Sequence, residues 1–152
     1  MPSAAYLAGL IDGDGCLTIV RRDKGKTKGD RRRKLSFETL VKIAGETQHL
    51  RGLRREWSGI GSLYIRKRHG QRHLAEWMIC QKQARALLKK ITRFLVLKKA
   101  QALNILNFPR CKSRWDATPE LRAEQYQRWI LMKELNSRTG RGTRSYHGRR
   151  SS

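Results

Sequence analysis

The chain has 152 residues, a length for one domain that buries roughly two thirds of its unfolded surface, and its 38% hydrophobic residues suffice for a modest core. Its 35 Lys and Arg against 12 Asp and Glu leave a net charge of +23, which demands a polyanionic partner. There is no apolar run near the roughly 18 residues of a membrane span and no signal-peptide core, so the charge points to nucleic acid rather than to a membrane.

Three cysteines, Cys16, Cys80 and Cys111, lie far apart without a C-x-x-C. Neither a disulfide framework nor a zinc ribbon is supported, and a reducing intracellular compartment fits, whether an organelle or a prokaryotic cytoplasm.

The first predicted element is a helix over residues 3–13. Gly9 and Gly13 fall four apart on one face, where another backbone can approach closely. Gly within a helix costs about 1 kcal/mol relative to Ala, so two of them ask for a packing reason. A partner helix is one, with Leu7, Gly9, Leu10, Asp12 and Gly13 as its candidate contacts; a buried helix with a Gly-rich C-cap is the other. Asp14 stands where the helix ends.

Alternation follows, with Leu17, Ile19 and Arg21 on one side and Cys16, Thr18, Val20 and Arg22 on the other, as in a strand. Residues 23–33 read as a charged hairpin loop whose Lys24, Lys26, Lys28, Arg31, Arg32 and Arg33 suit phosphates. Gly25-Lys26-Thr27 is no P-loop, because Val20 stands where its first glycine belongs. Residues 34–43 alternate again, Leu35, Phe37, Thr39, Val41 and Ile43 facing a core and Lys34, Ser36, Glu38, Leu40 and Lys42 facing away. Leu50, Leu53 and Trp57 give a short helix over 46–57, broken at Gly59-Ile60-Gly61.

Residues 62–68 and 73–80 read as a second hairpin around His69-Gly70-Gln71, with Tyr64, Arg66, Arg68, Glu76 and Met78 outward and Leu63, Ile65, Trp77 and Ile79 inward. His69 and His73 are read as turn residues, not as a zinc helix. Ala84, Leu87, Leu88, Ile91 and Leu95 then hold helical spacing, as do Leu103 and Leu106 before Pro109. Thr118 as N-cap and Pro119 at N1 open a last helix bearing Leu121, Tyr126, Trp129 and Ile130. Residues 137–152 form a basic tail rich in Gly, Ser and Arg, expected to be flexible.

The order is α+β, a four-stranded antiparallel sheet with helices on one side and an open face for DNA. That face would present Thr18, Val20, Arg22, Ser36, Glu38, Leu40 and Lys42 from the first hairpin, and Tyr64, Arg66, Arg68, Glu76 and Met78 from the second.

Leu7-Ala8-Gly9-Leu10-Ile11-Asp12-Gly13-Asp14-Gly15 closely resembles the signature of the LAGLIDADG homing endonucleases, with Gly13 where the family name has Ala. The order of later elements fits over roughly 3–136, giving one αββαββα endonuclease domain over 1–136. The motif occurs once, so the resemblance points to the single-motif branch, whose members act as homodimers. It implies a saddle of two sheets reading the DNA major groove.

Cutting a phosphodiester needs metal, to stabilise charge and to lower the pKa of an attacking water. Asp14 is the candidate ligand, one from each subunit, with Asp12, read as structural, the alternative; by resemblance the Gly13 carbonyl assists. Mg²⁺ is the expected ion, with Mn²⁺ able to substitute and Ca²⁺ expected to support binding without efficient cleavage. Phe94-Leu95-Val96-Leu97-Lys98 matches the family's context for a lysine that orients water or steadies developing charge; the residues alone would make Lys98 a plain surface lysine. The family's water-organising glutamine falls at Gly45 here, leaving Gln48 or Arg51 as substitutes.

The function implied is a site-specific homing endonuclease that makes a double-strand break in a long pseudo-palindromic target by metal-dependent hydrolysis. An RNA maturase or a non-cleaving DNA-binding regulator on the same fold is the alternative. A general basic RNA- or DNA-binding protein would explain the charge but leave the glycine face and paired aspartates without a role.

Overall fold

The computed structural model describes residues 3–24, 34–66, 74–111 and 117–139. Helix α1 (Ala4–Asp14) is opened by Ser3, whose hydroxyl accepts from the Tyr6 N–H at 3.1 Å. Its Leu7, Ala8 and Ile11 are fully buried at one-turn spacing. At Gly15 the chain turns from helix to strand so tightly that a β-carbon would lie 2.7 Å from the Ile11 Cα, and only glycine fits.

Strands β1 (Gly15–Lys24) and β2 (Lys34–Glu46) form the first antiparallel hairpin, with Gly15 opposite Ile43 and Lys24 opposite Lys34. Helix α2 (Thr47–Glu56) follows β2 directly. Strands β3 (Ser62–Arg66) and β4 (Leu74–Cys80) form the second hairpin, and β4 also pairs with β2, giving the order β1-β2-β4-β3. Helix α3 (Gln81–Ile91), a 3₁₀ turn (Thr92–Phe94), helix α4 (Lys99–Leu106) and helix α5 (Pro119–Arg138) follow among the described residues.

The inward parity of β2 and β4 agrees with the alternation in the sequence: Val41, Ile43, Trp77 and Ile79 are all fully buried. Leu50 and Leu53 of α2 and Ala84, Leu87, Leu88 and Ile91 of α3 pack on that side. Trp77 donates its indole N–H to the Ile60 carbonyl at 2.8 Å, which pins the loop after α2. Thr118 caps α5 through the Leu121 N–H at 3.2 Å, as its position before Pro119 predicts.

Some expectations need correction. Leu95 does not continue α3, which ends at Ile91; it is buried from an extended segment beyond the 3₁₀ turn. In α4 the inward residues are Gln101, Ala102, Asn104 and Ile105, while Leu103 is 43% exposed. The phase of this helix is set by tethers: the Asn104 amide donates to the Arg128 carbonyl of α5 at 2.9 Å. Ile65, expected inward, is exposed because β3 is an edge strand. Helix α5 buries Met132 and leaves Tyr126 and Ile130 39% and 40% exposed. It also runs to Arg138, so the predicted tail starts later than residue 137, and 140–152 lie outside the described residues.

Candidate functional site

The end of α1 is locked to the segment before α4 by reciprocal hydrogen bonds. The Asp12 carboxylate accepts from the Val96 N–H at 2.7 Å through one oxygen and from the Lys98 N–H at 2.9 Å through the other. In return Lys98 Nζ donates to the carbonyls of Ile11 at 2.6 Å and Asp12 at 2.8 Å. These carbonyls belong to the last turn, where a helix lacks internal donors and its dipole is negative, so a lysine suits it. Lys98 is only 7% exposed, which corrects its reading as a plain surface lysine. One and two residues beyond the carbonyls it holds come Gly13 and Asp14, both exposed.

The Lys98 nitrogen thus sits on the same last turn of α1 that ends at Asp14. Gln48 and Arg51 lie on the exposed side of α2. Their helix meets α1 where the Tyr6 hydroxyl and His49 Nε2 lie 3.1 Å apart, eight residues before Asp14 or about 12 Å along a helix axis. At Gly45 the atoms nearest an added β-carbon would be Leu50 side-chain carbons at 3.7 to 3.8 Å, an ordinary contact, so an alanine-sized side chain would fit there.

On α1, Tyr6, Gly9 and Gly13 are exposed and Leu10 half-buried, forming one stripe opposite the buried one. A β-carbon at Gly9 or Gly13 would meet nothing within 4 Å, so this face is open to another backbone. Two expected interface residues are corrected. Leu7 is fully buried in its own core, since it lies on the other side of the helix. Asp12 is turned onto the chain's own 96–98 backbone. Sequence reading missed Val96 and Leu97 as surface residues: they are 80% and 68% exposed, held beside α1 by the Asp12 bonds.

The open face of the sheet carries ion pairs. Arg22 Nε lies 2.6 Å from Glu38, and Glu76 is bound by Lys42 at 2.9 Å and Arg66 at 3.0 Å. Ser36 and Tyr64 are exposed, and Thr18, Val20 and Met78 half-buried. Leu40, expected to face DNA, is a correction: flanked by Thr18 and Cys80 across the register, it is only 8% exposed. Burial, and then the neighbouring Glu38 carboxylate, pushes the Cys80 thiol above its ordinary pKa. Lys24 and Lys34 close the β1–β2 ladder by their backbones. Lys26, Lys28, Arg32, Arg68, His69 and His73 lie outside the described residues.

Among the described residues no group of three or more His, Cys, Asp or Glu side chains could hold a metal ion. No helix among them is long and apolar enough to cross a membrane.

No family model matches the sequence, and no curated protein matches it. Solved structures do. The homing endonuclease I-CvuI, in complex with its target in the presence of Ca, superposes with a TM-score of 0.67 at 21% identity, covering 87% of this chain and 80% of that one. The archaeal intron-encoded homing endonuclease I-Vdi141I, complexed with DNA, gives 0.66 at 17% identity, covering 94% and 87%. The LAGLIDADG homing endonuclease I-GzeII, in complex with its DNA target, gives 0.58 at 16% identity, covering 86% of this chain and 43% of that longer one. The α1 ending in Asp14, the sheet order and these superpositions together give this chain the fold of the LAGLIDADG homing endonucleases.

Proposed function

We propose that the chain is a site-specific DNA endonuclease that works as a homodimer and makes a double-strand break in a long pseudo-palindromic target. The observation that carries this is the exposed Asp14 at the end of α1, with the buried Lys98 nitrogen anchored on the carbonyls of the same last turn. The last-turn carbonyls account for a lysine at a packing helix, but such a helix has no need of an exposed carboxylate there. The similar structures bound to DNA favour a DNA substrate over other polyanions.

One protomer supplies one Asp14, and two copies joined along the Gly9 and Gly13 stripe would bring two such helix ends together. Val96 and Leu97, exposed beside that stripe, extend the proposed contact. The donor set suits Mg²⁺, which binds through one or two carboxylates plus substrate phosphates rather than an all-protein cage. Asp14 and the Gly13 carbonyl would hold it, with Mn²⁺ able to substitute and Ca²⁺ supporting binding more than cleavage. Such an ion would stabilise charge at phosphorus and acidify an attacking water. Lys98 stays on the helix end and steadies developing negative charge beside Asp14. Gln48 and Arg51, on the exposed side of α2, are the candidates to organise the water in place of the family's glutamine. On the open face Thr18, Val20, Arg22, Lys42, Tyr64, Arg66 and Met78 face the groove, and the charge of +23 draws the duplex in.

The test is to incubate the protein with a randomised duplex library in Mg²⁺ and sequence the cut ends. Double-strand breaks at one pseudo-palindromic motif are expected. Breaks without a common sequence, or intact DNA, would overturn the proposal.

A further inference from the structure

Among the described residues of the open face, the carboxylates of Glu38 and Glu76 are engaged by cations. Glu38 on β2 is opposite Val20, diagonal to Arg22, whose Nε it accepts at 2.6 Å. Glu76 on β4 is opposite Ala44 on one side and Tyr64 on the other, diagonal to both Lys42 and Arg66. One of its oxygens takes Lys42 Nζ at 2.9 Å and the other takes Arg66 Nη2 at 3.0 Å. The Glu76 side chain is 14% exposed against 47% for Arg66, so the carboxylate is the more shielded of the pair.

Neither folding nor raw affinity accounts for these acids. Ion pairs whose cations stay a third to about half exposed add little to stability. Against a polyanion a carboxylate on the binding face is repulsive, in a chain that has only 12 Asp and Glu to 35 Lys and Arg. What they supply is selectivity, because an element that penalises wrong partners discriminates as well as one that attracts the right one.

Resting on the DNA-reading role given to this face above, we propose that Glu76 is a specificity-determining positioning residue, holding Lys42 and Arg66 in fixed poses until a base edge offers a better acceptor. Glu38 does the same for Arg22. Guanine presents two acceptors in the major groove, which satisfy an arginine that leaves its glutamate. Where cytosine or adenine presents an amino group, the cation stays and the glutamate's remaining lone pairs accept from the base. A phosphate satisfies the cation equally on any sequence but leaves the glutamate uncompensated, so non-specific contact is penalised.

The experiment is a binding selection from a randomised duplex library with Ca²⁺ as the only divalent ion, comparing wild type, Glu76→Gln and Glu38→Gln. Glu→Gln keeps the shape and removes the charge. Glu76→Gln should bind random duplex more tightly and lose about tenfold of its preference at one contiguous block of each half-site. Glu38→Gln should lose preference at a separate block, and it decides the matter if Glu76→Gln does not fold. A merely structural role would lower the thermal midpoint and leave the consensus intact, which overturns the proposal. A wild type that selects no consensus would take down the DNA-reading role of the face and this inference with it. A wild type that selects one but never cuts in Mg²⁺ leaves only the endonuclease reading overturned, and the glutamate variants still decide this inference.

Discussion

Asp12 and Lys98 show how much a single side chain can settle. Each uses two hydrogen bonds to hold backbone of the other's segment, so the end of α1 and the 96–98 segment are one unit. Removing the Asp12 carboxylate leaves two N–H groups without their acceptor, one of them part-buried, a loss of about 1–3 kcal/mol. Asp12→Ala should lower the thermal midpoint and also reduce cleavage more than DNA binding, because Lys98 loses its placement beside Asp14. Melting curves beside cleavage and binding assays check this; a variant that melts earlier yet cuts normally would make Asp12 purely structural. Lys98 itself was visible in the sequence only through the family resemblance. Composition and spacing describe a lysine in a basic chain, and nothing local announces that it turns inward onto helix carbonyls.

At the scale of elements, α1 has two apolar faces with different fates. Leu7, Ala8 and Ile11 go to the protomer's own core, while the stripe of Tyr6, Gly9, Leu10 and Gly13 looks outward. Gly13→Leu separates the two. Within the protomer the new side chain meets nothing within 4 Å of its β-carbon, and leucine is the better helix former, so the thermal midpoint should hold or rise. Against a second copy it should overpack the contact by about 1–3 kcal/mol, weakening the dimer about tenfold to a hundredfold. Sedimentation of both proteins reads this directly, and an unchanged dimer would place the interface elsewhere.

Element types were largely legible because burial enforces period. The alternation of Leu17 and Ile19, and of Phe37, Thr39, Val41 and Ile43, survives as the inward face, and the α3 spacing of Ala84, Leu87, Leu88 and Ile91 is fully buried. The readings failed where tertiary contacts outrank pattern. Leu103 is exposed because α4 turns Asn104 inward toward α5. Leu40 is covered by its cross-strand neighbours although its parity faces outward. Asp14 and its glycines could be singled out because residues 7–15 resemble a family signature; spacing alone left a glycine-rich helix cap as an equal reading. The apolar surface of Val96 and Leu97 was not legible, since exposure depends on where α1 and α4 converge.

For the whole molecule, a cationic sheet face, a helix end bearing Asp14 and an open glycine stripe make sense together if two copies clasp one duplex. Binding energy on that account is spread over many strand and loop contacts, whereas chemistry is concentrated in two carboxylates. Asp14→Asn separates them because it keeps the side chain's shape and removes its charge. The measurement is a gel that reads bound and cut target duplex side by side in Mg²⁺. Asp14→Asn should bind about as tightly as wild type, or more tightly where carboxylate repulsion near phosphate is relieved, while cleavage falls by about 10²–10³-fold. An Asp14→Asn protein that cuts near the wild-type rate would contradict the account.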